Sequence, residues 1–70
     1  MSKTAKVIEI ISNSSDSFDD ALEQGIAEAA KSLDGISGVE IVKWTVDVEN
    51  DAITRYKLTL HVAFKLERED

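Results

Sequence analysis

The stretch "ITRYKLTLHVAFKL", Ile53 to Leu66, alternates apolar and polar residues and decides the fold. Successive side chains of a β-strand point to opposite faces, so this alternation predicts a long strand with one buried face. The preceding "ENDA" at 49–52 predicts a hairpin turn with Asn50 and Asp51 at its tip. An antiparallel partner strand should therefore lie just upstream.

That partner is "VEIVKWTVDV", Val39 to Val48, in which the alternation changes phase between Ile41 and Val42. An uninterrupted ladder from the turn would pair Val39 with Val62 and Ile41 with Leu60, on the side that a helix could cover. The same ladder would put Glu40 opposite His61 and the residues of the second phase on the other side. Its predicted pairs there are Val42 with Thr59, Trp44 with Lys57 and Val46 with Arg55. An apolar face without intrachain cover predicts an interface.

Upstream, "KVIEIIS" at Lys6–Ser12 predicts another strand, and Ser17 is placed to cap a helix that starts at Phe18. The helix carries one apolar stripe at the i, i+3, i+4 spacing. Gly25 beside this stripe predicts close approach of another backbone, and Gly35 in "DGISG" predicts the C-terminal cap. The predicted fold class is α+β, with the order β-α-β-β, a three-stranded antiparallel sheet around one helix, and a single domain over 1–70.

Composition excludes several function classes. The chain has 70 residues, no cysteine and a net charge of -6, so disulfides and thiolate sites are absent, and a nucleic-acid or anionic-membrane partner is disfavoured. The apolar run Val7–Ile11 is too short for a signal segment or a bilayer span, so we expect a soluble, cytoplasmic protein. So small a domain buries little surface by itself, which favours oligomerisation.

Several polar residues keep alternative interpretations open. His61, expected opposite Glu40 in the ladder, predicts either a His–Glu pair at a subunit contact or a metal ligand. No nucleophile accompanies it, so no enzyme is predicted. The basic row of β-strand residues Arg55, Lys57, His61 and Lys65 predicts a salt-bridge ladder with Glu40 and Asp47 or with acidic residues of a neighbouring subunit, or else an anion site. The cluster Asp16, Asp19 and Asp20 predicts helix capping, or a shell-bound divalent cation such as calcium or magnesium.

The order and spacing of four segments resemble the dodecin family. These segments are "KVIEIISNSSDSFDDALEQGIAEAAKSL", "VEIV", "VENDAITRYKLTLHV" and "AFKLE", which together span Lys6–Glu67. The resemblance implies a hollow homo-dodecamer that binds flavins such as riboflavin or FMN and is not an enzyme. The alternative is a flavin-free shell that binds divalent cations such as calcium, or that serves as a scaffold.

The resemblance also implies ligand residues, and two of them differ here. The family's flavin-stacking tryptophan falls on Gly38, which has no ring, and its glutamine falls on Lys57, which can donate hydrogen bonds but accept none. These differences argue against the usual flavin site. Lys65 keeps a cation where relatives hold an arginine that can meet a phosphate. The candidate ligand residues are Lys57, Lys65 and Trp44, with Trp44 expected on the same sheet face as Gly38. The candidate oligomer-interface residues are Val42, Trp44, Val46, Arg55 and His61.

Overall fold

A computed structural model of the chain describes residues 4–66. In that range the elements are β1 (Thr4–Ser14), α1 (Phe18–Ser32), β2 (Ile36–Glu49) and β3 (Ala52–Leu66). The three strands form one antiparallel sheet in the order β1-β3-β2, with α1 packed on one face. The predicted α+β class and the β-α-β-β order are confirmed.

The helix begins where its capping signal placed it. The Ser17 hydroxyl accepts a hydrogen bond from the backbone N–H of Asp20 at 3.0 Å, which satisfies one of the free donors of the first turn. At the other end the cap is Leu33, whose N–H donates to the carbonyl of Ala29. The prediction that Gly35 caps the helix is therefore wrong.

Gly35 instead turns the chain into β2, which begins at Ile36, three residues earlier than predicted. Its φ of +73° lies in the left-handed region that favours glycine. Its carbonyl accepts a hydrogen bond from the N–H of Lys65 at 3.0 Å. This contact attaches the start of β2 to the end of β3.

The core lies between α1 and the helix-facing side of β3. Its buried members are Ala21, Ala29, Leu58, Leu60 and Val62. A Cβ on Gly25 would lie 2.9 Å from Leu60 Cδ1 and 3.0 Å from Ser12 Cβ. The close approach predicted at Gly25 is confirmed, but side chains of two strands approach it rather than a backbone.

The hairpin turn is confirmed, with φ of 53° at Asn50 and 65° at Asp51 and with Glu49 paired with Ala52. Two positive φ values in a two-residue loop are typical of a type I′ turn, whose twist matches that of the strands. The predicted pairs of Val39 with Val62, Ile41 with Leu60 and Glu40 with His61 are also confirmed.

Between these two ends of the hairpin the register is shifted by one residue. Val42 on β2 and Thr54 on β3 are unpaired residues at β-bulges. Trp44 therefore pairs with Leu58, and Val46 pairs with Tyr56. The predicted pairs in this section are wrong, because the prediction assumed an uninterrupted ladder. These pairs were Trp44 with Lys57, Val46 with Arg55 and Val42 with Thr59.

The shifted register changes which face carries the tryptophan. Paired residues of an antiparallel ladder share a face, so Trp44 lies on the same face as buried Leu58, toward the helix. Gly38 pairs with Ala63, between helix-facing residues of β3, and so lies on the opposite face. The expectation that Trp44 and Gly38 share a face is wrong. The phase change in the sequence is absorbed by the bulge at Val42.

Candidate binding and assembly surfaces

The first candidate surface is the helix-facing side of the hairpin near its turn. A helix of 15 residues spans about 22 Å, whereas a strand of 14 residues spans about 46 Å, so α1 covers only part of the hairpin. Four apolar side chains remain exposed there. They are Trp44 at 57%, Val46 at 38%, Val48 at 58% and Ile53 at 49%. We call these four residues the arm surface.

Trp44 is held in position by the first residue of the helix. Its ring centroid lies 4.9 Å from that of Phe18 at 67°, and Phe18 also meets Tyr56 at 5.1 Å and 74°. Both are edge-to-face contacts, which the charge distribution of aromatic rings favours. One part of the indole is thus packed within the protomer, and the rest is open to a partner or ligand.

The second candidate surface is the face of the sheet turned away from α1, which we call the outer face. It carries the predicted basic row of β3, which is Arg55, Lys57, His61 and Lys65, together with Gly38 on β2. Lys57 Nζ lies 3.2 Å from Asp47 Oδ1. The predicted salt-bridge ladder with Asp47 is confirmed at this position. Lys57 is thus partly neutralised by a neighbour within its own protomer.

Gly38 and Lys57 share the outer face but do not meet in one protomer. Gly38 pairs with Ala63, which is six residues from Lys57 along β3, or about 20 Å at the usual strand rise. Lys65 is two residues from Ala63 and lies nearer to Gly38. A Cβ on Gly38 would have nothing within 4 Å. The position is therefore open within one protomer.

His61 lies between two carboxylates on the outer face. Its Nε2 lies 2.9 Å from Glu9 Oε1, and its Nδ1 lies 3.9 Å from Glu40 Oε1. The predicted neighbour Glu40 is confirmed. Sequence reasoning missed Glu9, because its place depends on the pairing of β1 with β3. The run of apolar residues around Glu9 carries no signal for the register in which β1 pairs with β3.

One member of the acidic cluster, Asp20, is hydrogen-bonded at the helix start. The Asp20 carboxylate accepts a hydrogen bond from Ser14 Oγ at 2.6 Å and another from the Gln24 amide. Ser14 Oγ in turn accepts from the backbone N–H of Asp16 at 2.9 Å. Among residues 4–66, no three His, Asp or Glu side chains are placed to hold a metal ion. In the same range, no helix has the length and apolar character needed to cross a membrane.

Comparisons with known proteins agree with this architecture. The family model described as Dodecin matches residues 4–67. The dodecin from Streptomyces davaonensis is 25% identical, with 97% of this chain and 100% of that one covered and a TM-score of 0.90. The dodecin from Streptomyces coelicolor is 22% identical, with 96% of each chain covered and a TM-score of 0.89.

A third solved structure is the calcium dodecin from Mycobacterium tuberculosis, described as a calcium chelating immunodominant antigen with a novel calcium-binding site. It is 27% identical to this chain, with 96% of each chain covered and a TM-score of 0.79. No curated protein sequence gives a significant match.

Proposed function

Because this chain belongs to the dodecin family, we propose that it is a non-enzymatic subunit of a hollow homo-dodecamer that binds or sequesters a small ligand. The observation that carries the proposal is the arm surface, where Trp44, Val46, Val48 and Ile53 are uncovered by the protomer's own helix. Contiguous apolar surface of several hundred Å² on a small domain is typical of an interface. We assign the arm surface to contacts between copies.

The outer face supports a ligand site that needs more than one copy. Gly38 and Lys57 lie about 20 Å apart on one protomer. Residues of the family's flavin site fall at both positions, so a joint site would have to combine them from different copies. Within such a site Gly38 supplies no ring, and Lys57 is already paired with Asp47. We therefore propose that flavin binding in the usual mode is lost, and that an anionic group binds at Lys65 and competes with Asp47 for Lys57.

A flavin-free shell that binds divalent cations is the second candidate. It is favoured by the likeness to a calcium dodecin at 27% identity and by the acidity of the helix side. Six carboxylates lie on that side or next to it in the described range: Asp16, Asp19, Asp20, Glu23, Glu28 and Asp34. Symmetry axes of a shell bring copies of one residue together. Such an axis could supply the oxygen ligands that calcium prefers.

Native mass spectrometry tests the assembly and the ligand together. Twelve copies of the 7.7 kDa chain give about 92 kDa, and any retained ligand adds its own mass. A mass of one chain at micromolar concentration would refute the proposal. A melting temperature that rises with added calcium and falls with chelator would favour the cation-binding shell.

A gain-of-function variant tests the missing flavin site. We expect the purified wild-type chain to leave the fluorescence of added riboflavin unchanged. Gly38→Trp combined with Lys57→Gln should create quenching, because it restores the stacking ring and an amide that both donates and accepts. Gly38→Ala with Lys57→Gln is the matched control without the ring. Quenching by the wild-type chain would show that the flavin site is intact.

A further inference from the structure

Glu9, His61 and Glu40 form one row across the full width of the outer face. Glu9 on β1 pairs with His61 on β3, and His61 pairs with Glu40 on β2. One ring nitrogen of His61 lies 2.9 Å from the Glu9 carboxylate and the other 3.9 Å from the Glu40 carboxylate. Both nitrogens of the imidazole therefore face an acceptor.

This arrangement fits one protonation state of His61 better than the other. A neutral imidazole has one N–H, so it can donate to one carboxylate only, and its second nitrogen turns a lone pair toward the other. The imidazolium form has an N–H on each nitrogen, so it can donate to Glu9 at hydrogen-bond distance and present its second N–H and its charge to Glu40 at the ion-pair distance of 3.9 Å. Protonated His61 is thus the form that satisfies the row.

The surroundings of the row suit burial against another surface. Val7 and Ile11 lie on either side of Glu9 along β1 and are 55% and 67% exposed. Thr59 and Ala63 lie on either side of His61 along β3. Lys43 pairs with Thr59 and so lies in the row next to the His61 row, whereas the other charged groups of the outer face lie farther along the strands: Asp47, Arg55, Lys57 and Lys65. The helix packs on the opposite face of the sheet.

We propose that the row couples self-association to pH, with the outer face packed against a second copy of the chain and with protonation of His61 strengthening that contact. This inference rests on the proposed homo-oligomer. The charge distribution favours a second copy as the partner of the outer face. The outer face carries both signs, so it can be complementary to a copy of itself, whereas the exposed face of α1 carries mainly carboxylates and would repel its copy.

The direction of the effect follows from desolvation. When the outer face is buried with His61 neutral, one carboxylate of the row loses water without gaining a donor, which is costly for a charged group. Protonation supplies the missing N–H. Histidine is the side chain that changes its charge in this range of pH, so we expect the concentration for half-dissociation to rise at least about tenfold between about pH 6 and about pH 8.

The experiment is a dilution series at both pH values, followed by sedimentation velocity, with moderate urea added equally if the assembly is too tight. In Glu40→Gln the amide can donate to the neutral ring, so association should be strong at both pH values. His61→Gln should associate weakly at both. Glu23→Gln removes the same single charge from the exposed helix face. It should therefore show the same difference in half-dissociation concentration between the two pH values as the wild-type chain.

Equal dissociation of the wild-type chain at both pH values would overturn the coupling and leave the assembly standing. A loss of the pH difference in Glu23→Gln as large as in Glu40→Gln would also overturn it, because net charge alone would then be the cause. A chain that is monomeric at both pH values would overturn the proposed assembly and the coupling with it.

Discussion

Trp44 contributes both to the stability of the protomer and to assembly, and a single substitution can measure the two contributions separately. The side chain is 57% exposed, so about two-fifths of it is packed within the protomer, chiefly against Phe18. For an indole that buries up to about 250 Å², this is roughly 100 Å², or about 2.5 kcal/mol at 25 cal/mol per Å². Trp44→Ala should lower the free energy of unfolding of the protomer by about 2 to 3 kcal/mol.

The exposed part of Trp44 should matter only to assembly. If the arm surface is an interface, burying the remaining area of roughly 140 Å² contributes about 3.5 kcal/mol per copy. Its loss would weaken association by about two to three orders of magnitude, since each 1.4 kcal/mol is tenfold. The loss of association free energy should therefore exceed the loss of unfolding free energy of the protomer.

Sedimentation across a dilution series measures the dissociation constant, and urea unfolding of the dissociated protomer measures protomer stability. Trp44 is the only tryptophan, so a blue shift of its emission on assembly reports burial of the same side chain. Trp44→Phe is the matched control, because it keeps a ring against Phe18 and most of the apolar area. Normal assembly of Trp44→Ala, with only the loss of protomer stability, would remove Trp44 from the interface.

Two further predictions concern the protomer itself. Ser14→Ala should lower the free energy of unfolding by about 1 to 3 kcal/mol, because the buried Ser14 hydroxyl is hydrogen-bonded to both Asp20 and the Asp16 amide. Thermal unfolding measures this loss, with exposed Ser15→Ala as the control. Equal melting temperatures of the two variants would contradict the prediction. Gly25→Ala should lower the free energy of unfolding by up to about 2 kcal/mol, although alanine has the better helix propensity, because its Cβ would lie 2.9 Å from Leu60 Cδ1. A rise in its urea midpoint would show that Leu60 moves aside freely.

Local signals in the sequence predicted the parts of the fold that depend on neighbouring residues. The capping hydroxyl of Ser17 and the tip residues Asn50 and Asp51 each act over a few positions, and each is confirmed. The alternation of β3 likewise predicted which of its residues are buried, since the period of two is a property of the strand alone. These features could be predicted without knowing the order and register of the strands.

Features that depend on pairing were predicted less well. Glu9 joins His61 only because β1 runs beside β3 in one particular register, and no residue near Glu9 specifies that register. The phase change at Val42 was visible in the sequence but had two interpretations: a strand with two apolar faces, or a bulge that returns the later residues to the first face. Propensity does not separate these, because both suit the same β-branched residues.

The bulges at Val42 and Thr54 compensate each other, so the shift that these two produce is confined to the middle of the hairpin. Val42 adds one residue to β2 and Thr54 adds one to β3, so the register is in phase at the turn and again from Ile41 to Gly38, beyond which a further irregularity at Ser37 shifts it once more. Without them, Trp44 would pair with Lys57 on the outer face, the face that also carries Gly38. With them, Trp44 packs against Phe18. The bulges therefore decide that the only tryptophan belongs to the arm surface and not to the face where the resemblance places a flavin.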